Sequence, residues 1–356
     1  MGKLAVYKYI SMMFLVLQFI VSVFTFVALY GGDVNPIGNS ARAMLVYLLP
    51  ILIAANVVLL LYWLIRRRWI YALIPIFTIA CCIPYIGTIY QFGSSDNKVS
   101  DSHETIKVAT YNVAMFNRET SGFMAQDILA EMRRQKVDVL CMQEYNESSG
   151  DKKNSVSYKE YFPYMQLGRD DMVIYSRYPI KGSHKILFDD TNNSAMWADI
   201  DVNGRQLRIF NVHLQSTAIN RTLYKADKLR RQIPGQDFQV NNNRVLSALF
   251  GNYMLGMYFR AGQASMVANE KNSSEKPVIL VGDFNDVPYS YVYNTMLGNM
   301  VDGFKECGHG FMNTFRGKKA VRIDYIFHDE SLQGIDYYKR EMTYSDHYPV
   351  FMTIAL

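Results

Sequence analysis

Three uncharged apolar runs, residues 10–30, 43–65 and 69–90, fill 66 of the first ninety positions. Each exceeds the ~20 apolar residues needed to cross a bilayer as a helix. The run 69–90 contains Pro75 and Pro84, which membrane helices tolerate where neighbouring helices cover the freed carbonyls. Residues 1–92 are therefore expected to form a three-helix transmembrane anchor. The polar stretch 93–104 (GSSDNKVSDSHE) reads as a linker, and 105–356 as a soluble domain. A buried helical hairpin in a soluble protein is the competing reading.

Charge gives the orientation. Lys3 and Lys8 precede the first run, and Arg66-Arg67-Arg68 fill the turn between the second and third. Basic residues favour the cytoplasmic side. The amino terminus is thus expected in the cytoplasm, and the soluble domain outside it, on a multi-pass protein of the cytoplasmic membrane. The net charge is +5, but six basic residues and one acid lie in the first ninety positions. Of 37 basic and 32 acidic residues, 31 of each remain beyond them. A neutral domain lacks the broad positive field of a non-specific nucleic-acid binder. The four cysteines, Cys81, Cys82, Cys141 and Cys307, show no disulfide framework or metal spacing.

Within the soluble part, Val278-Ile279-Leu280-Val281-Gly282-Asp283-Phe284-Asn285-Asp286 reads as a buried strand that ends on polar residues. If the chain stays extended, Asp283 and Asn285 point to one side. The alternative is a strand closed by an Asx turn. Other apolar runs also end on groups able to bind metal or phosphate: Asn112, Glu144, His213 and Asp346-His347, with Asp324 inside a further strand. One such ending is commonplace; five on successive strands point to a convergent site. For Asp324 the bland alternative is an ion pair with Arg322.

At this point the chain resembles the endonuclease/exonuclease/phosphatase superfamily, in a membrane-anchored bacterial form. The matching residues are Thr110-Tyr111-Asn112-Val113, Gln143-Glu144, Ser176-Arg177-Tyr178-Pro179, Asn211-Val212-His213-Leu214, Gly282 to Asp286, Arg322 to Ile326, and Ser345 to Val350. They occur in the family's order over about residues 105–356. The resemblance implies a four-layer α/β/β/α sandwich with the site where the loops of its two sheets meet. It implies hydrolysis of a phosphoester with Mg²⁺, or Mn²⁺ in its place. Glu144 would be the main metal ligand, with Asn112 and Asp346 holding the metal or its waters. Asp283 would orient or deprotonate the attacking water, Asn285 would position phosphate, and His213 would face the phosphate or leaving group. Asp324 would pair with His347. Whether Asp283 or His347 is the base stays open. Asn211 and Arg177 would contact or support the substrate, and Asp170 or Asp171 would brace His213.

The connection 215–277 bears on the substrate. Arg221, Lys225, Lys228, Arg230 and Arg231 are opposed only by Asp227, and 245–259 is uncharged. One reading is a core helix preceded by a solvated basic face. The other is a segment that rests on the bilayer or grips a lipid, with Arg221 and Lys225 near anionic head groups. Three functions follow: a hydrolase of a lipid or lipid-linked phosphate outside the cytoplasm, a membrane-anchored nuclease, and a non-catalytic binding module. No protein partner follows from the sequence.

Overall fold

A computed structural model of the protein describes residues 3–92, 104–117, 123–145, 158–169, 171–189, 191–216, 242–316 and 320–356. The basic positions 221–231, Arg221 and Lys225 among them, lie outside the described residues, as do Asp170 and most of the expected linker.

The strands, in chain order, begin with β1 (Tyr90–Gln91), β2 (Thr105–Asn112), β3 (Val139–Gln143), β4 (Tyr164–Leu167) and β5 (Met172–Ser176). They continue with β6 (Ile180–Leu187), β7 (Ser194–Val202), β8 (Arg205–His213), β9 (Val278–Asp283) and β10 (Val301–Asp302). The last are β11 (Gly310–Phe311), β12 (Asp324–His328), β13 (Gln333–Lys339) and β14 (Val350–Ala355). One six-stranded sheet runs β13-β14-β2-β3-β5-β4, the other β10-β12-β9-β8-β7-β6, and β1 pairs with β11.

The apolar runs are continuous because both faces of each sheet are covered. In β9, Ile279 and Val281 face the other sheet, meeting Val108, Cys141 and Ile174. Their neighbours Val278 and Leu280 face outward onto Ala264 and Val267 of the helix Asn242–Asn272. The other sheet's outer face packs Leu140 and Met142 against Ile128, Leu129 and Met132 of the helix Phe123–Arg134. The result is the α/β/β/α sandwich. The uncharged stretch 245–259 belongs to the long helix Asn242–Asn272, with Met257 buried and Phe250 and Leu255 exposed.

Gly282 is set by a close approach of main chain. Its φ is +140°, and a Cβ there would lie 1.9 Å from the Val212 carbonyl oxygen of neighbouring β8. No side chain fits at this register position.

The amino-terminal unit departs from the expectation of three spans. Among the described residues two stretches, Val6–Asp33 and Pro36–Ile65, are long and apolar enough to cross a membrane. The third run instead gives the helix Trp69–Cys81, 13 residues. Such a helix covers only ~20 Å of a ~30 Å hydrocarbon layer. It breaks at Cys82, ahead of a short turn Ile83–Ile86 that carries Pro84. Pro84 ends the helix because it has no N–H to give and disfavours helical geometry before it, whereas Pro75 is carried inside. Buried polar side chains tie the three helices. Gln18 Nε2 donates to Ser22 (2.9 Å) and Asn56 (3.0 Å), and Thr78 Oγ1 donates to Ser22 (3.0 Å).

Candidate active site

Register brings the polar strand ends together. β2 and β3 are parallel, with Asn112 opposite Gln143, so Glu144 follows beside Asn112. In the other sheet β8 and β9 are parallel, with His213 opposite Asp283. The antiparallel partner β12 starts with Asp324 opposite Asp283. β14 pairs antiparallel to β2 and starts at Val350, three residues past His347. Six groups, Asn112, Glu144, His213, Asp283, Asp324 and His347, thus share one edge of the sandwich.

Asp283 is the centre. It is 1% exposed. Its Oδ2 accepts from Asn112 Nδ2 at 3.0 Å, and it lies 4.0 Å from His213 Nε2 and 3.7 Å from His347 Nε2. Each histidine is held from behind by its own carboxylate. His213 Nδ1 meets Asp171 Oδ2 at 2.8 Å, and His347 Nδ1 meets Asp324 at 3.0 and 3.2 Å. With Nδ1 engaged, both rings present Nε2 to the same point.

Burial drives the Asp283 carboxyl above the usual carboxylate range, partly opposed by the two histidines. For His347 burial works against charge, but Asp324 and Asp283 outweigh it and raise its pKa well above the ordinary value. Burial is likewise overcome at His213, by the bond to Asp171 and the charge of Asp283.

The sequence left open whether residues 283–285 stay extended. They form an Asx turn: Asp283 Oδ1 accepts from the Asn285 N–H at 2.8 Å, and Asn285 adopts φ +52°. Asn285 Nδ2 donates to the Leu214 carbonyl at 2.9 Å. It holds the His213 strand end against the Asp283 loop.

Other expected site residues are placed differently. Arg177 lies at the opposite end of the sheet, because β5 is antiparallel to β3 and Ser176 faces Val139. There it pairs with Asp138 at 2.8 Å and does not reach the site. Asn211 is fully buried below the site. Its Nδ2 donates to the Met142 and Val173 carbonyls, each at 3.0 Å, and its Oδ1 accepts from Gln143 Nε2 at 2.6 Å. It ties the two sheets and has no N–H left for substrate. Arg322 pairs with Asp302, which leaves Asp324 to His347.

Sequence reasoning missed three supports. Ser345 Oγ donates to the Asn112 carbonyl at 2.7 Å, pinning the His347 loop to β2. Thr314 Oγ1 accepts from the Asp324 N–H at 3.0 Å. Arg316 is exposed beside that loop and donates to the Ser345 carbonyl at 2.7 Å. Thr314 and Arg316 sit in a loop with no spacing signal, and Ser345 opens a matching segment but was given no role of its own.

The donor set suits a hard divalent cation, which prefers oxygen ligands. Glu144 Oε1 and Asp283 Oδ2 each lie within 3.1 Å of Asn112 Nδ2 and 4.0 Å of His213 Nε2, so carboxylate oxygens converge. Asp283, Asp324 and His347 also cluster within ligand range of one another. Asp324 and His347 are spent on each other there, which leaves Glu144 the freer carboxylate. Asn112 turns its nitrogen to the site, since its Oδ1 accepts from the Ala114 N–H at 3.0 Å. It therefore bridges Glu144 and Asp283 by donation. Asp346 is exposed on the rim next to His347.

Residues 109–347 match the profile of the Endonuclease/Exonuclease/phosphatase family. The chain belongs to this family, whose members hydrolyse phosphoester bonds and generally use divalent metal ions. Residues 11–89 match a second profile, a domain of unknown function. No curated protein matches the chain. Among solved structures it is similar in fold to a functionally unknown conserved protein from Enterococcus faecalis, at 15% identity and TM-score 0.50, over 70% of this chain and 99% of that one. A mannosyl-6-phosphatase from Bacteroides thetaiotaomicron aligns at 17% identity and TM-score 0.47, over 70% and 100%. Sphingomyelinase C from Streptomyces griseocarneus aligns at 17% and 0.45, over 70% and 99%.

Proposed function

We propose that this protein is a membrane-tethered, divalent-metal-dependent hydrolase of a lipid or lipid-linked phosphoester, with Mg²⁺ the favoured ion and its catalytic domain outside the cytoplasm. Asp33, Tyr47 and Thr88 all meet that domain, so the short third helix, though less than a full span, brings the chain back to the side opposite Arg66–Arg68. The observation that carries the reading is the convergence of His213, His347 and Asn112 on Asp283, next to Glu144 and beside a family match of phosphoester hydrolases. The lipid part rests on placement. Tyr47, within the apolar stretch Pro36–Ile65, bonds Asp286 at 2.6 Å, one residue past Asn285. A tethered site samples a bilayer substrate at high effective concentration.

Each residue has a task in this reading. Glu144 and the Asp283 loop would hold the cation, and Asp346 would lie beside it on the rim. Asp283, whose burial favours uptake of a proton, receives the proton of the attacking water. His213 and His347, their charged forms favoured by carboxylates behind them, offer Nε2–H groups to the phosphate oxygens or the leaving oxygen. Asn112 and Asn285 keep the carboxylates and loops in place. The ion, when bound, neutralises charge gathering on the phosphoryl oxygens.

Full-length protein in detergent with Mg²⁺ should cleave bis-p-nitrophenyl phosphate and a lipid phosphate, and EDTA should abolish turnover. Glu144→Gln should lower the rate by at least about 10²-fold. No turnover of lipid extract, plasmid DNA or small phosphodiesters by folded protein would remove the enzymatic reading. Faster cleavage of plasmid DNA than of lipid would move the substrate to nucleic acid.

The orientation has its own check. A cysteine at Asn97 should react with an impermeant label added to whole cells; protection there would place the domain in the cytoplasm.

A further inference from the structure

We infer that Tyr47, in the amino-terminal helical unit, is a positioning residue for the active site, acting through Asp286 and Arg260 on the two loops that follow His213 and Asp283. The inference rests on the hydrolase reading above.

The linkage is a buried chain of polar contacts. Asp286 is 4% exposed. Its Oδ1 accepts from the Tyr47 hydroxyl at 2.6 Å and from the Val287 N–H at 2.9 Å. Its Oδ2 accepts from Arg260 Nε at 3.1 Å. Arg260 is 0% exposed and donates through Nη1 to the Gln215 carbonyl at 3.0 Å. Gln215 lies two residues past His213, and its N–H donates to Gln263 Oε1 at 2.8 Å, on the same helix as Arg260. Asn285 Nδ2 closes the clamp at Leu214. One buried carboxylate thus sets the spacing between the His213 strand end and the Asp283 turn, and Tyr47 is the donor that the helical unit contributes to it.

The charge makes that donor matter. A buried carboxylate needs its bonds, and those to a charged acceptor are stronger than neutral ones. Without the Tyr47 hydroxyl, Asp286 must turn toward another donor or draw water in. Turning loosens Arg260 Nε, and with it the hold on Gln215. Asp286 does not touch the reacting point, so the effect is on geometry. A misplacement of ~1 Å at such a site can cost 10²-fold in rate.

Tyr47 does not reach Asp286 from a loose element. A Cβ on Gly32 would lie 1.5 Å from the Tyr289 carbonyl oxygen, so the helical unit and the loop after Asp286 touch backbone to backbone. Tyr85 meets Tyr289 edge-on at 5.6 Å. Asn294 Nδ2 donates to Asp33 at 2.9 Å.

The test uses the full chain in detergent with Mg²⁺ and bis-p-nitrophenyl phosphate, plus hydrogen exchange by mass spectrometry. Tyr47→Phe should lower kcat about tenfold with KM unchanged, because substrate binding is untouched. Exchange should speed up at 214–215 and 285–287 and not in β2 or β3. Asp286→Asn combined with Tyr47→Phe should lose no more than Asp286→Asn alone, as expected for two members of one chain. Tyr291→Phe removes a separate contact to the helical unit, with Asn35 at 3.4 Å, and should leave both readouts at wild type. If Tyr47→Phe does not fold, Arg260→Lys keeps the charge, loses the reach to Gln215, and should give the same kcat loss and exchange pattern. Wild-type kcat and exchange in Tyr47→Phe would overturn the inference, as would an equal loss in Tyr291→Phe. If the wild-type protein turns over nothing, the hydrolase reading fails. Exchange then decides alone: faster exchange at the two loops keeps the linkage, and unchanged exchange removes it.

Discussion

Replacing His347 by alanine is expected to lower phosphoester turnover by at least about 10²-fold, the range for loss of a positioned proton donor or acceptor. The ring is 6% exposed and presents Nε2 to Asp283 at 3.7 Å, so water cannot easily substitute for it. The variant should also be less stable, because Asp324 is left as a buried carboxylate without its partner. That second effect confounds the first, and Asp324→Asn separates them. In the double variant the buried charge is gone, and stability should return toward wild type while turnover stays low. A loss of less than tenfold in His347→Ala, or recovery of turnover in the double variant, would show that His347 serves the fold and not the reaction.

The largest expected effect on stability lies elsewhere. Arg322→Met should destabilise the protein by roughly 3–5 kcal/mol, the usual cost of breaking a buried ion pair from one side. Arg322 is fully buried and grips Asp302 with both terminal nitrogens, at 2.8 and 2.6 Å. Its guanidinium stacks near Tyr325 at 4.6 Å and Phe304 at 4.9 Å. Asp302 accepts in addition from Tyr293 and from the Phe304 N–H, where it caps a short helix. Methionine fills similar volume but leaves the Asp302 charge unmatched. Arg322→Lys should fall in between, since an ammonium keeps the charge and loses the fork. Denaturant unfolding in detergent measures both; a loss under about 1 kcal/mol for Arg322→Met would mean that Asp302 finds other compensation.

What could be read from the chain divides along physical lines. Central strands such as β3 and β9 are buried on both faces and leave continuous apolar runs, and their polar endings marked Glu144 and Asp283. β6 is largely exposed and reads IKGSHKIL, so it gave no apolar pattern to find. Asn211 and Arg177 sit inside motif segments, which made them look like substrate groups. Only register shows that one ties sheet to sheet and the other occupies the far end. A proline in each half of 69–90 looked equivalent, yet Pro75 is carried and Pro84 breaks the helix. The Tyr47–Asp286 contact joins residues 239 apart and has no local signature at all.

The junction between the two parts has a mechanical consequence. β1 adds a two-residue strand to β11, the Met312 N–H reaches back to the Ile89 carbonyl at 2.9 Å, and Arg322 holds the Thr88 carbonyl at 3.0 Å. A head fastened so close to its stalk cannot swivel to forage through solution. On the tethered reading its mouth keeps one height and one tilt over the lipid surface, like a blade set in a plane, and the molecules it can cut are those whose scissile bond rises to that level.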